Sequence, residues 1–284
     1  MSRRTLAREI GAEGVALHAG TRARMTLLPA APDTGIVFRR RDLAGTAAIP
    51  ALWSFVSETR LGTVIAGHDG AGVAVIEHLM AAFAGAEIDD CTVEIDGPEP
   101  PILDGDALSY LTLIEQAGIR EQKGARKSLQ LNRRVEVEAS GGRCVLVPAE
   151  RTEFSCEIEF ASRSIGRQTF DFVFSPRHFR DQIAPARTFG FLDEAEKLRA
   201  AGLARGADLA NTLVIDGDRV VNTGLQRFPD EFVRHKILDV IGDLKLAGAP
   251  IVARYEGKRP SHTLNNALLR ALFADPSNYK IVTE

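Results

Sequence analysis

The sequence predicts an α+β fold of two domains, each an antiparallel-rich sheet packed with helices. Three observations predict it: the length, apolar–polar alternation at period two, and a few helical stretches set among the strand-like runs. At 284 residues the chain exceeds one ordinary core and suits two domains of roughly 100–150 residues each. Both halves mix strands and helices without the regular βαβ alternation of a parallel sheet.

Residues 22–28 (RARMTLL), 35–38 and 63–65 read as short strands separated by turns. Residues 76–84 (IEHLMAAFA) are rich in helix formers, and Gly85 supplies a stop. CTVEID then reads as a strand, closed by the turn-rich GPEPPILDG, and ALSYLTLIEQAG as an amphipathic helix ending at Gly118. The polar, non-periodic run 121–128 (EQKGARKS) is the best linker. It divides the chain into domains 1–122 and 128–284. Beyond it RRVEVEAS, GGRCVLVPAE, FSCEIEF and QTFDFVF alternate as successive antiparallel strands with one buried face. Helices are expected over 193–203, 230–247 and 261–274, with a hairpin at TLVIDGDRVVN marked by its Asp-Gly turn.

Apolar residues make up 45% and charged residues 26% of the chain, the composition of an ordinary globular protein. A formal charge of −3 offers no overall basic excess for nucleic acid. The N-terminal residues lack an apolar signal core, and no run reaches the roughly 18 apolar residues of a membrane span. A cytosolic, monomeric protein with at most peripheral membrane contact is expected. Cys91, Cys144 and Cys156 are odd in number and form no CxxC pair, so a metal here must use histidine and carboxylate ligands.

The stretch DEFVRHKILDVIGDLKLA (230–247) is the most informative. At 3.6 residues per turn Val233, Ile237, Val240, Ile241 and Leu244 form an apolar face, and Arg234 and Lys245 mark a solvent-facing strip. His235, Asp239 and Asp243 fall at i, i+4 and i+8 on a third face shared with Phe232 and Leu246. A carboxylate in so enclosed a setting needs a partner. A metal is one, since His and Asp one turn apart reach a single ion; an ordinary i,i+4 His–Asp pair is the other.

A catalytic zinc takes three protein ligands and leaves a fourth position open. His78 is the natural third, and its neighbour Glu77 could then act as general base. The alternative is a first-turn Glu favoured by the helix dipole beside a satisfied buried His. His262 follows Ser261, an N-cap residue. It reads either as a helix-start residue without chemistry or as a general acid beside the metal.

Taken together, EGVALHAG, DTGIVFRR, TRLGT, EHLMAAFAG, VEIDGPEPPILDG, ARTFGF, DEFVRHKILDVIGDL and HTLNNALLRAL resemble the UDP-3-O-acyl-N-acetylglucosamine deacetylase family, zinc amidases of lipid A biosynthesis, over nearly the whole chain. The resemblance implies one Zn2+ per chain, with Fe2+ as the cellular alternative, bound by His78, His235 and Asp239. It implies Glu77 as general base, His262 as general acid or electrostatic partner oriented by Asp243, and Thr188 at the oxyanion. The implied substrate is an acylated UDP-aminosugar. Lys236 would lie near its phosphates or reacting centre, Phe189 near the sugar and the acyl-chain entrance, Glu194 on the sugar, Arg259 on the diphosphate and Phe160 on the uracil. The implied fold is two α+β domains of related topology, with the active site and its zinc in the cleft between them; each domain would carry a small insert, the second around 202–212.

The chain departs from the family pattern at four places. Gly62 stands where a cysteine is usual, Ala74-Val75 where Ser-Thr would cap the helix, Glu194 where an aspartate is found, and Arg259-Pro260-Ser261 in a Lys-Ser-Gly-like run. None removes a ligand or the base. A related zinc amidase acting on another N-acylated substrate and a non-catalytic binding module are the rival readings.

Overall fold

Period-two alternation builds two principal sheets in the computed structural model, which describes residues 2–283. The first runs Ile10–Val15, Arg22–Pro29, Cys91–Ile95, Ile36–Arg40, Ile49–Pro50. The second runs Val135–Ala139, Gly142–Val147, Arg254–Lys258, Glu153–Glu159, Arg167–Val173. In each, a strand from later in the chain enters the middle, antiparallel to the second strand and parallel to the fourth. The shared order is the related topology that the resemblance implies. One expectation changes: the four alternating segments of the second half are not successive neighbours. They form two hairpins, and Arg254–Lys258 pairs between them because the unpaired edge of each hairpin offers a free backbone ladder.

Five longer helices accompany the sheets: α1 (Glu77–Gly85), α2 (Leu108–Ala117), α3 (Leu192–Ala200), α4 (Glu231–Lys245) and α5 (His262–Phe273). Leu79, Met80 and Phe83 of α1, with Ile237, Val240 and Ile241 of α4, are buried in one continuous core spanning both halves. α1 crosses α4 closely, because a Cβ at Gly242 would overlap the backbone carbonyl of Glu77. Gly85 is equally constrained: it is the last helical residue, and a Cβ there would overlap the Phe179 ring.

Helix ends follow local chemistry. The Ser261 hydroxyl accepts the Leu264 N–H at 3.2 Å, the N-cap read from the sequence. α2 stops at Gly118 with φ 72°, a conformation open to glycine. α1 has no side-chain cap, as its Ala74-Val75 lead-in implies. Val75 instead sits at φ 57°, a conformation that costs a β-branched residue about 1–3 kcal/mol.

Each half carries a three-stranded insert: Val56–Glu58, Val64–Ala66 and Gly72–Val73 in the first, Phe189–Phe191, Leu213–Asp216 and Arg219–Val220 in the second. The second insert is tied back to the first half. Ala204 N–H donates to His18 Nδ1 at 3.3 Å, and Arg205 and Gly206 N–H donate to the carbonyls of His18 and Leu17.

Two further expectations change. The run read as a linker is strand Ile119–Ala125, paired antiparallel with Ser2–Leu6, followed by Lys127–Leu131 between Ile251–Val252 and Tyr279–Thr283. It lacked alternation because nearly all of Ile119–Ala125 is exposed on both faces. Lys245, placed on a solvent strip by the helical wheel, is buried, and its Nζ donates to the Ile88 carbonyl at 2.7 Å. Arg234 is also largely covered, its guanidinium lying over the rings of Phe170 and Phe228. No helix among the described residues is long and apolar enough to cross a membrane.

Candidate active site and metal centre

α4 enters the core through a buried carboxylate. Glu231 accepts N–H bonds from Arg187, Arg227 and Phe228 and pairs with the Arg187 guanidinium, while the Gln168 amide oxygen takes the Val233 N–H. The last of these satisfies an orphan donor of the helix start, and together they fix the phase at which the third face of α4 meets α1. His235, Asp239 and Asp243 on that face are all buried, as are Glu77 and His78 on α1.

His78, His235 and Asp239 converge. Each offers one ligand atom, and the three atoms lie within 4.8 Å of one another. The Nε2 atoms of His78 and His235 stand 3.7 and 3.4 Å from the same oxygen, Asp239 Oδ1. These separations exceed a hydrogen bond. His235 Nδ1 donates to the Ala186 carbonyl at 3.0 Å, which leaves its Nε2 lone pair facing the cluster. Burial, opposed by Asp239, pulls His235 down to about 3, so the ring is the neutral imidazole a metal requires.

Asp239 divides its two oxygens. Oδ2 accepts from Lys236 Nζ at 2.7 Å, and Oδ1 faces the two imidazoles. Burial alone would raise this carboxyl, but Lys236 and His235 outweigh it and hold it well below the usual carboxylate range. His78 Nδ1 is buried without a hydrogen-bond partner, so a cation at Nε2 would give this ring its one strong polar contact. Two imidazoles and an ionised carboxylate form the donor set of a divalent transition metal. These residues fit a metal ion.

Beside these three residues lies a carboxyl–imidazole pair. Glu77 Oε2 accepts the Thr63 backbone N–H at 3.0 Å, and its Oε1 faces His262 Nε2 at 3.7 Å. Burial pushes the Glu77 carboxyl up, opposed by His262 and His78. His262 Nδ1 pairs with Asp243 Oδ2 at 2.8 Å. Burial by itself would lower His262, but Asp243 and then Glu77 reverse the effect and carry it up to about 10. A carboxyl raised by burial and an imidazole raised by its carboxylate neighbours thus face each other at 3.7 Å beside the cluster.

The remaining expected residues divide. The Phe189 ring contacts Phe232, His235 and Phe160 edge-on, and Lys236 Nζ lies 5.5 Å from its centre. This aromatic wall adjoins the cluster. Thr188 begins the same segment, its N–H donating to the Gly105 carbonyl at 2.8 Å. By contrast, Glu194 is exposed in the first turn of α3, and Arg259 is ion-paired with Glu159. Among the described residues neither makes a hydrogen bond or ion pair to His78, His235 or Asp239. Thr63 and Asn265, which no periodicity or spacing singled out, both contact Asp243.

With this geometry in hand, comparison with known proteins is direct. A family model for UDP-3-O-acyl N-acetylglycosamine deacetylase matches residues 3–274. The UDP-3-O-acyl-N-acetylglucosamine deacetylase of Myxococcus xanthus is 46% identical over 281 residues, covering 99% of this chain and 89% of the relative. That of Phenylobacterium zucineum is 48% identical over 271 residues, covering 95% and 92%, and that of Chromobacterium violaceum 43% identical over 282 residues, covering 99% and 93%. Matches of this extent, over a chain whose buried histidines and carboxylates assemble as described, make the protein a member of the UDP-3-O-acyl N-acetylglycosamine deacetylase family.

Proposed function

We propose that this chain hydrolyses the N-acetyl group of UDP-3-O-(3-hydroxyacyl)-N-acetylglucosamine in the cytoplasm, an early committed step of lipid A biosynthesis. It does so as a single chain with one zinc ion held by His78, His235 and Asp239. The carrying observation is the convergence of two imidazoles and a carboxylate from α1 and α4 beside the Glu77–His262 pair. The relatives' names supply the substrate.

A bound zinc ion supplies Lewis acidity toward water and toward the acetamide oxygen. Glu77 takes a proton from the attacking water. As the water oxygen bonds to the carbonyl carbon, Thr188 helps hold the developing negative oxygen. His262, kept protonated by Asp243, returns a proton to the sugar nitrogen as the C–N bond breaks. Acetate and a free amine leave.

Lys236 anchors Asp239 and lies against Phe189, and its charge is read as serving the substrate's phosphates or reacting centre. Phe189 and Phe160 form the wall along which the sugar and acyl chain, and beyond them the uracil, would pass. Glu194 and Arg259 are read as outer contacts to the sugar and the diphosphate.

Metal analysis of the purified protein together with an acetate-release assay on the UDP-acylaminosugar tests this reading. One zinc per chain, with release abolished by chelation and restored by zinc, is expected. Metal-free protein with full activity would overturn it.

A further inference from the structure

Asp243 is neither a ligand nor within reach of a substrate carbonyl in the mechanism above, yet its carboxylate is more completely bound than any other at the centre. Oδ2 accepts from Asn265 Nδ2 at 2.8 Å and pairs with His262 Nδ1 at 2.8 Å, while Oδ1 accepts the Thr63 hydroxyl at 2.5 Å. The Thr63 hydroxyl also lies 3.4 Å from His262 Nδ1. The shorter contact, to a group that can only accept, fixes its proton on Asp243. Asn265 is locked in turn: its Oδ1 accepts the Tyr255 hydroxyl at 2.9 Å, which sets the amide with Nδ2 toward Asp243.

Thr63 does more than hold Asp243. Its backbone N–H donates to Glu77 Oε2 at 3.0 Å, so one buried residue, 1% exposed, touches the carboxylate of the base and the carboxylate that orients the acid. Its own place is set tightly. Gly62 precedes it at φ 143°, a conformation that side chains rarely adopt, and the Thr63 carbonyl takes the Ile76 N–H that leads into α1.

We propose that Thr63 is a positioning residue of the deacetylation reaction, its hydroxyl locking Asp243 and through it the His262 ring while its N–H aims Glu77. Asn265 completes the lock from the opposite side. A hydrogen bond to a charged group contributes about 1.5–3 kcal/mol, so its loss in the reacting geometry costs roughly 10- to 100-fold in rate. The inference rests on the roles given above to Glu77 and His262.

The experiment compares Thr63→Val, Thr63→Ser, Asp243→Ala and the Thr63→Val/Asp243→Ala double variant in the zinc-loaded enzyme. Thr63→Val is expected to keep its zinc and its KM within about twofold and to lose about 10- to 100-fold in kcat. Thr63→Ser, which keeps the hydroxyl, is expected to recover most of that loss. In the Asp243→Ala background Thr63→Val should add little, because the hydroxyl acts through that carboxylate. Should the valine variant not fold, Thr63→Ala removes the hydroxyl without adding a methyl group and is read in the same way.

Wild-type kcat in Thr63→Val, equal losses in the valine and serine variants, or full additivity with Asp243→Ala would each overturn the proposal. Wild-type turnover in Asp243→Ala itself would instead overturn the reading of the acid–base pair beneath it.

Discussion

The α-carbon of Gly242 faces the backbone carbonyl of Glu77 so closely that no side chain fits between them. Two helices from opposite halves thus meet backbone to backbone one residue from His78 and one residue from Asp243. Gly242→Ala is expected to push α1 away from α4. Overpacking of this kind costs about 1–3 kcal/mol, and the displacement would separate His78 from His235 and Asp239. Thermal melting and zinc content, measured together, should both fall; an alanine variant that melts and binds zinc like wild type would show that the crossing is not this tight.

Base and ligand should separate cleanly. Glu77→Ala is expected to retain zinc and lose about 10²- to 10⁴-fold in turnover, the usual contribution of a general base. His235→Ala is expected to lose zinc as well. Turnover at the wild-type rate in Glu77→Ala would show that another group accepts the proton.

The pH dependence follows from His262. Its folded pKa, raised to about 10 from an ordinary 6.5, contributes stability that is complete below pH 6.5 and is lost as pH rises through about 10. The same sign governs the reaction, since the acid must carry its proton. Glu77, Asp243 and Asp239 all act to raise it, whereas a cation held by the ligands opposes them. The telling comparison is therefore between zinc-loaded wild type and zinc-loaded Asp243→Asn. The alkaline limb of kcat against pH is expected to move toward neutrality in the variant, and an unmoved limb would remove His262 from the role of acid.

Lys245 gives a pH effect of opposite sign. Burial lowers its ammonium to about 8 from an ordinary 10.5, with Asp89 opposing. Between those values the unfolded chain holds a proton that the folded protein has released, so this group makes stability rise with pH. Below pH 8 both states are protonated and the burial penalty is complete. Any stability advantage of Lys245→Met should accordingly be largest below pH 8 and shrink as pH approaches 10.5. Denaturant melts of both proteins at pH 7, 9 and 10.5 measure this; a gap that widens with pH would contradict it.

Much of this was legible in the sequence where a period applied. The placement of His235, Asp239 and Asp243 one turn apart on α4 follows from 3.6 residues per turn, and the five helices lie close to where their patterns put them. Alternation found the strands and their two hairpins but not the strand between them, because Arg254–Lys258, which also pairs with Gly142–Val147, lies about a hundred residues further on and a period carries no record of distant pairing. Strand Ile119–Ala125 was read as a linker since, with neither face buried, nothing selected for alternation. Lys245 was assigned to solvent because a helical wheel knows the angle of a residue but not that the Ile88 carbonyl waits there. Thr63 and Asn265 left no trace: a lone hydroxyl and a lone amide acquire meaning only when the chain returns to set Asp243 between them.

The matching strand orders of the two sheets carry one last consequence. His78 comes from the earlier unit and His235 and Asp239 from the later one, so neither unit alone holds a complete coordination set. An ion gripped from both sides is a rivet as well as a reagent. Its removal should loosen the seam between the units, lowering the melting temperature while each sheet keeps its own hydrogen-bonded ladder.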